Sequence, residues 1–294
     1  MKKLISISGP TAVGKTKKAI DLALHFNTEI ISFDSRQFYK EMKIGTAPPC
    51  EDDLFKIKHH FIHNKSIFDK YTVYDFSIDA KKCIEKLFEK YDNIILVGGS
   101  FLFLNSIITE LDEMPKIKDG LREKLNKDYE NKGKEYIIKL LKKIDPVYLE
   151  KVDKNNHRRI IRALEVSIQS KKPYSSFLGK KTSSKYNHIS IALNNERNVI
   201  HHLINNRVDE MLKNGLLDEV ESLYKYSHLN PLNTVGYKEL FNYLDGRISK
   251  IDAVEYIKRN TRRYAKKQIT WLNNNGKHFW FRPNDSIESF LKVL

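Results

Sequence analysis

Residues 9 to 16, Gly9-Pro10-Thr11-Ala12-Val13-Gly14-Lys15-Thr16, match the pattern G-x-x-x-x-G-K-[ST]. Such a loop works only where a strand stops, the chain turns on its glycines, and a helix begins with free N–H groups aimed at an anion. Both neighbours have the right texture. Lys3-Leu4-Ile5-Ser6-Ile7-Ser8 reads as a buried strand, and residues 15–26 carry Ala19, Ile20, Ala23 and Leu24 at helical spacing. Lys15 then brings positive charge to the terminal phosphates, and the Thr16 hydroxyl is placed to ligate Mg²⁺. A phosphate site follows. The reaction does not, because kinases and nucleoside triphosphatases share this loop.

Two further apolar runs read as strands: 29–33, ending at Asp34, and 93–97, closed by Gly98-Gly99, with an amphipathic helix over 75–90 between them. Strands alternating with helices predict an α/β fold, a P-loop parallel sheet flanked by helices. Ligands of such sheets lie beyond the carboxyl ends of the strands, so Gly9, Asp34 and Gly98 are expected to face one crevice. Near Met114-Pro115 the texture becomes helical and basic, and it stays so to about Lys185. A strand at 189–193 returns to the sheet, followed by helices over 197–214, 216–226 and 251–274 and a late strand at 278–281. The reading is a catalytic core, 1–114 plus 186–294, with an inserted all-helical subdomain, 115–185. Typical nucleoside triphosphatases end a strand in a carboxylate for Mg²⁺, whereas the 94–97 strand ends in glycines. Asp34 is the acid at a strand end, able to serve as metal ligand, as base, or as acceptor for an amine.

The chain has 294 residues, 40% of them hydrophobic, with no apolar stretch approaching a membrane span of roughly 20 residues. No secretory leader is legible, and two cysteines make neither a disulfide framework nor a zinc site, so a cytoplasmic protein is expected. The net charge of +15 is uneven: residues 1–110 carry 16 basic and 14 acidic side chains, and 111–294 carry 36 and 23. A basic face for a polyanion explains that asymmetry, with nucleic acid favoured over a solvated surface. In the 251–274 helix, Ile257, Tyr264 and Trp271 make an apolar stripe beside Arg259, Arg262, Arg263, Lys266 and Lys267, with no acid across 256–282. Arg158, Arg159 and Arg162 form a second cluster in the insertion. His59, His60 and His63 have metal-like spacing, but no cysteine or flanking acid completes a set. Trp271, Trp280 and Phe281 are expected in the core.

Taken together these segments resemble the tRNA dimethylallyltransferase (tRNA isopentenyltransferase) family, in its bacterial form without a C-terminal zinc finger. The matching stretches are GPTAVGKT at 9–16, DSRQFY at 34–39, GTAPP at 45–49, VGGSFLFL at 97–104, RRIIRALEV at 158–166, NRVDEML at 206–212, GLLDEV at 215–220, VGYKEL at 235–240 and TRRYAKKQITW at 261–271. The resemblance implies transfer of a dimethylallyl group from dimethylallyl diphosphate to N6 of adenosine 37 in the anticodon stem-loop of tRNA, by a monomer needing Mg²⁺. It implies catalytic roles for Asp34, Thr11, Lys15 and Arg207, with Asp34 holding and deprotonating the adenine amine. Diphosphate would lie on residues 9–16, with Mg²⁺ on Thr16. Contacts to tRNA are implied for Asp34, Ser35, Arg36, Gln37, Ser100, Arg122, Arg158, Arg159, Arg162, Gly236, Tyr237, Lys238, Arg262, Arg263, Lys266, Lys267 and Gln268.

Four positions depart from the family pattern. Ser100 replaces a threonine, Phe103 a tyrosine, Pro48 a lysine and Lys267 an arginine. Two other activities fit the loop: prenyl transfer to a free adenylate, and phosphoryl transfer to a small molecule. The basic second half favours a macromolecular acceptor.

Overall fold

The computed structural model describes residues 2–109, 111–115, 117–118, 120–179 and 186–294. In chain order the first elements are β1 (Lys3–Ser8), α1 (Lys15–His25), β2 (Ile30–Ser32), α2 (Glu51–Lys56), β3 (His59–His60), α3 (Val73–Phe88), β4 (Asn93–Val97) and α4 (Phe101–Ile108). The inserted unit holds α5 (Leu121–Ile144), α6 (Pro146–Lys151) and α7 (His157–Ser170). Then come β5 (Asn187–Leu193), α8 (Arg197–Lys213), α9 (Leu216–Leu223), α10 (Tyr237–Leu244), α11 (Lys250–Asn274), β6 (Phe279–Phe281) and α12 (Ile287–Leu291).

All six strands are parallel, in the order β3-β2-β4-β1-β5-β6. Parallel sheets are covered on both faces, and the central strands read accordingly: Leu4, Ile5, Ile7, Ile94, Ile95 and Leu96 are fully buried. One apolar cluster joins Phe33, Phe38, Phe76, Ile84, Leu104, Val208 and Leu240. The other joins Ile5, Ile7, Ala19, Leu22, Ile95 and Phe290. Their membership places α1 and α12 against one face, and α3, α4, α8 and α10 against the other. Capping fixes where several helices start. Thr72 and Asp75 form a reciprocal capping box on α3, and the Ser249 side chain accepts from the Asp252 N–H on α11.

Chain contacts divide the molecule into Met1–Ile108 with Ser184–Leu294, and Thr109–Ser183. The helical unit therefore begins a little earlier than the expected residue 115, and the expected edge at 185 lies outside the described residues. This unit has its own core, built on Leu125, Ile137, Leu141, Leu149, Ile160, Ile161 and Leu164. Asp145, fully buried, caps α6 through the Tyr148 N–H and also accepts from the Ser175 N–H and hydroxyl.

One expectation about packing fails, and one spacing is explained. β3 is a strand that pairs with β2, which places His59 and His60 at the sheet edge. His60 Nε2 meets Glu29 Oε2 at 2.6 Å. Trp280 is not core: it is 41% exposed on the edge strand β6. Trp271 does pack inward, stacked on Phe101 with centroids 4.1 Å apart, and Phe281 stacks on Phe290.

Candidate active site

The carboxyl ends of β1, β2 and β4 open on one crevice. The loop leaves β1 at Gly9, where a Cβ would stand 2.5 Å from the Leu193 carbonyl oxygen, so only glycine fits. Ala12, at φ 66°, and Gly14, at φ 97°, bend the backbone round the loop. No side chain caps the N-terminus of α1, which leaves the first-turn N–H groups to a ligand. Lys15 Nζ donates to the Pro10 carbonyl at 2.8 Å. Part of this side chain faces the open crevice, but its ammonium is deeply packed. Burial, with repulsion from Arg207, brings its pKa down to about 7, and Asp34 opposes the drop. A buried ammonium with one carbonyl partner gains from an anion placed beside it.

Asp34 follows β2, and its Oδ1 accepts the Arg36 N–H at 3.0 Å. Arg207, on α8, donates through Nη1 to the Thr11 hydroxyl at 3.3 Å and through Nη2 to the Ala47 carbonyl at 3.4 Å. Burial lowers its pKa and Asp34 opposes this, but a guanidinium remains a cation. Thr11, Asp34, Arg207 and Tyr264 line two adjoining lobes. The smaller lobe, about 80 Å³, adds Lys15, Thr16, Gly98 and His59. The larger, about 270 Å³, adds Arg36, Ser100, Val208, Met211, Gly236 and Ile257. The smaller lobe is thus walled by the loop of residues 9–16, and the larger mixes Ile204, Val208, Met211, Val235 and Ile257 with arginine and hydroxyl side chains. Asp34 stands where the two lobes meet.

Periodicity does not reveal three of these residues. Tyr264 reads as part of an apolar stripe, yet its hydroxyl donates to the Gly99 carbonyl at 3.2 Å. Burial raises its pKa to about 12, which keeps the phenol protonated. Met211 lies within a matched motif that carries no signal for the lining of a lobe. His59 lines the phosphate lobe with Nδ1 bonded to the Ile57 carbonyl at 2.8 Å, and burial lowers its pKa. His59 is therefore neutral, with the proton on Nδ1.

Residues 37–275 match the family model described as IPP transferase. The chain belongs to this family. It is 49% identical to the tRNA dimethylallyltransferase of Flavobacterium johnsoniae over 96% of this chain and 93% of that one. It is 48% identical to the one from Christiangramia forsetii, over 99% and 97%. The fold is similar to that of a Bacillus halodurans tRNA isopentenylpyrophosphate transferase (TM-score 0.72, 36% identity, covering 99% of this chain and 94% of that one). It is also similar to a eukaryotic dimethylallyltransferase acting on tRNA (TM-score 0.82, 27% identity, covering 97% and 75%).

Within this IPP transferase fold, the residues expected to meet RNA separate into groups. Arg263, Lys266 and Lys267 project from α11 into solvent. Arg262 is held by Asn205 Oδ1 at 2.6 Å and shares with Arg197, Arg259, Arg263 and Lys266 a groove of about 540 Å³. Arg158 and Arg159 are exposed on α7, as is Lys238 on α10. Other residues in the set have structural work. Tyr237 is fully buried, donating to Glu219 Oε1 at 2.7 Å, so it touches no RNA. Gln268, 4% exposed, is buried apart from the edge it gives the smaller lobe. Gly236, at φ 97°, takes the left-handed turn that starts α10 and lines the larger lobe. Arg122 makes a bidentate pair with the buried Glu165 at 2.6 and 2.7 Å, and Arg162 approaches the same carboxylate at 3.5 Å. These two arginines neutralise a carboxylate that could not otherwise be buried.

Gln37 clasps the 45–49 segment: Oε1 accepts from the Ser32 hydroxyl, and Nε2 donates to the Thr46 and Ala47 carbonyls. Ser100 Oγ accepts the Ser35 N–H at 3.1 Å and its hydroxyl donates to Ser35 Oγ at 3.1 Å, so the departure from threonine keeps a hydroxyl in use. Phe103 packs against Phe38 and Phe76, where a ring suffices. Nothing in the structure explains Pro48 or Lys267.

Proposed function

We propose that the chain transfers a dimethylallyl group from dimethylallyl diphosphate to N6 of adenosine 37, beside the anticodon of tRNA, and releases diphosphate. The observation that carries this reading is the position of Asp34 between the lobe walled by the phosphate loop and a larger lobe that offers an apolar side of Ile204, Val208, Met211, Val235 and Ile257. N6 attacks the first carbon of the donor, the carbon–oxygen bond breaks, and the electron pair leaves on diphosphate. The proton lost from N6 passes to Asp34. Adenine's amine is a poor nucleophile, and a positioned carboxylate contributes roughly 10²–10⁴-fold in rate. Lys15, Arg207 and the Thr11 hydroxyl lie where charge grows on the departing oxygens. The reacting base must leave the anticodon stack to reach this crevice, as in other base-modifying enzymes.

Thr16 and Asp34 line the same lobe, and the Thr16 hydroxyl bonds no described residue. A threonine hydroxyl beside a carboxylate suits Mg²⁺, which is commonly held by few protein ligands plus substrate phosphates. Thr16 would hold it, and the ion would neutralise diphosphate charge. The chain is read as acting as a monomer, and a tRNA substrate supports a cytoplasmic location.

Purified protein, dimethylallyl diphosphate and unmodified tRNA test the reading by mass spectrometry of adenosine 37. Prenylation of free adenylate instead of tRNA, or turnover of ATP, would overturn it. Asp34→Asn is expected to lower single-turnover transfer about 10²-fold while keeping much of the tRNA affinity. Rescue of that variant by high Mg²⁺ would make Asp34 a metal ligand rather than the base.

A further inference from the structure

Helix α11 sends two side chains, one turn apart, towards the strand ends. Tyr264 and Gln268 both donate to the Gly99 carbonyl, at 3.2 and 3.0 Å. Gln268 does more, because its Oε1 accepts the backbone N–H of Thr11 at 2.9 Å. A buried primary amide with one end on an N–H and the other on a carbonyl has a single satisfied orientation, since a flipped amide would face donor to donor. Gly99 is cut to fit this contact: a Cβ there would stand 2.2 Å from Gln268 Nε2. The amide therefore ties the loop after β1 to the loop after β4. It does so at Thr11, whose hydroxyl receives Arg207 at 3.3 Å.

We propose that Gln268 is a positioning residue for the transfer reaction, holding the Thr11 backbone so that the Thr11 hydroxyl stays with Arg207 at the reacting end of the phosphate loop. This rests on the prenyl-transfer reading above. Gln268 reaches the edge of the smaller lobe, but both ends of its amide are taken up by the protein backbone. It acts through Thr11, and Gly99 is the second anchor of the same clamp. A catalytic group displaced by about 1 Å can cost 10²-fold in rate, so the clamp is felt in turnover before it is felt in binding.

The test uses Gln268→Met, which keeps length and burial but neither hydrogen bond, and Gly99→Ala, which crowds the amide without removing it. For Gln268→Met, kcat is expected to fall about ten- to hundredfold. The KM values for tRNA and dimethylallyl diphosphate should each stay within about threefold of the parent. Gly99→Ala should show the same split, and the double variant should lose no more than the worse single one. Hydrogen exchange provides a readout independent of transfer: the Thr11 amide should exchange at least about tenfold faster in Gln268→Met, while Val13 keeps its protection. Unchanged Thr11 exchange overturns the proposal. So does a lowered melting temperature with normal kcat, which marks a packing role, or a change confined to the KM for tRNA, which marks an RNA contact. If the parent protein transfers no prenyl group, the functional reading fails, while the exchange measurement still decides whether the clamp exists.

Discussion

The crevice and the inserted unit both carry more positive charge than negative, yet they handle it in opposite ways. In the crevice, Lys15 and Arg207 are desolvated and pinned, the one to the Pro10 carbonyl, the other to Thr11 and Ala47. Burial lowers the pKa of both, so the crevice holds cations at a cost. In the inserted unit the buried acids are Asp145, held by N–H and hydroxyl donors, and Glu165, cancelled by Arg122 and Arg162. The arginines left over there, Arg158 and Arg159, stand in solvent. Desolvated cations wait for one particular anion at one place. Solvated cations attract any polyanion, over a wide area, in a way that salt weakens.

Removing a pinned cation should therefore abolish chemistry and spare RNA binding. Lys15→Ala is expected to lower transfer by about 10³-fold or more, the effect of deleting charge stabilisation aimed at a leaving group. The Kd for tRNA should move less than about twofold, because one buried lysine makes no phosphate contact with RNA. Fluorescence titration of tRNA beside a single-turnover assay checks both halves. Near-normal turnover would remove the loop from the reaction.

The solvated cations should show the reverse pattern. Replacing Arg262, Arg263 and Lys266 with alanine is expected to raise the Kd for tRNA roughly tenfold. The slope of log Kd against log salt should fall by about 0.7–0.9 for each RNA phosphate that the variant no longer neutralises, and the KM for dimethylallyl diphosphate should stay put. An unchanged salt slope would mean that α11 presents an ordinary solvated face.

The two regions also differ in how much of them is legible in the sequence. The strands β1, β2, β4 and β5 are legible because burial on both faces leaves runs such as Asn93-Ile94-Ile95-Leu96-Val97, and the loop at 9–16 carries its own chemistry in its glycines. Asp34 is legible because it ends a strand. β3 is not: His59 and His60 are strand only through pairing with Ile30 and Ile31, a tertiary effect with no local signal. The same limit explains Gln268 and Tyr264. Within a basic helix they read like their neighbours, and only the packing of α11 against Gly99 and Thr11 separates them from Lys266 and Lys267. Arg122 and Arg162 look like RNA contacts for the same reason, since nothing in their own segments says that Glu165 lies beneath them.

That last pairing yields the smallest effect and the closest comparison, because it sets arginines of a single unit against one another. Arg158 and Arg159 lie on the exposed side of α7, and neither makes a salt bridge among the described residues. If they meet RNA, the double alanine variant should raise the Kd for tRNA about two- to fivefold and flatten the salt slope by at most about two units, with no change in melting temperature. Arg122→Ala should do the opposite. It strips the bidentate partner from a carboxylate that is 1% exposed, leaving Arg162 at 3.5 Å as its remaining salt-bridge partner among the described residues. Breaking a buried pair costs about 3–5 kcal/mol where both ions are sunk. Arg122 is half in solvent and Arg162 remains, so about 1–2 kcal/mol is the expectation. The loss should appear as earlier thermal unfolding, with the salt slope for tRNA unchanged. Measuring both variants at several salt concentrations separates the roles. A flattened slope in Arg122→Ala without a fall in melting temperature would move Arg122 back among the residues that touch RNA.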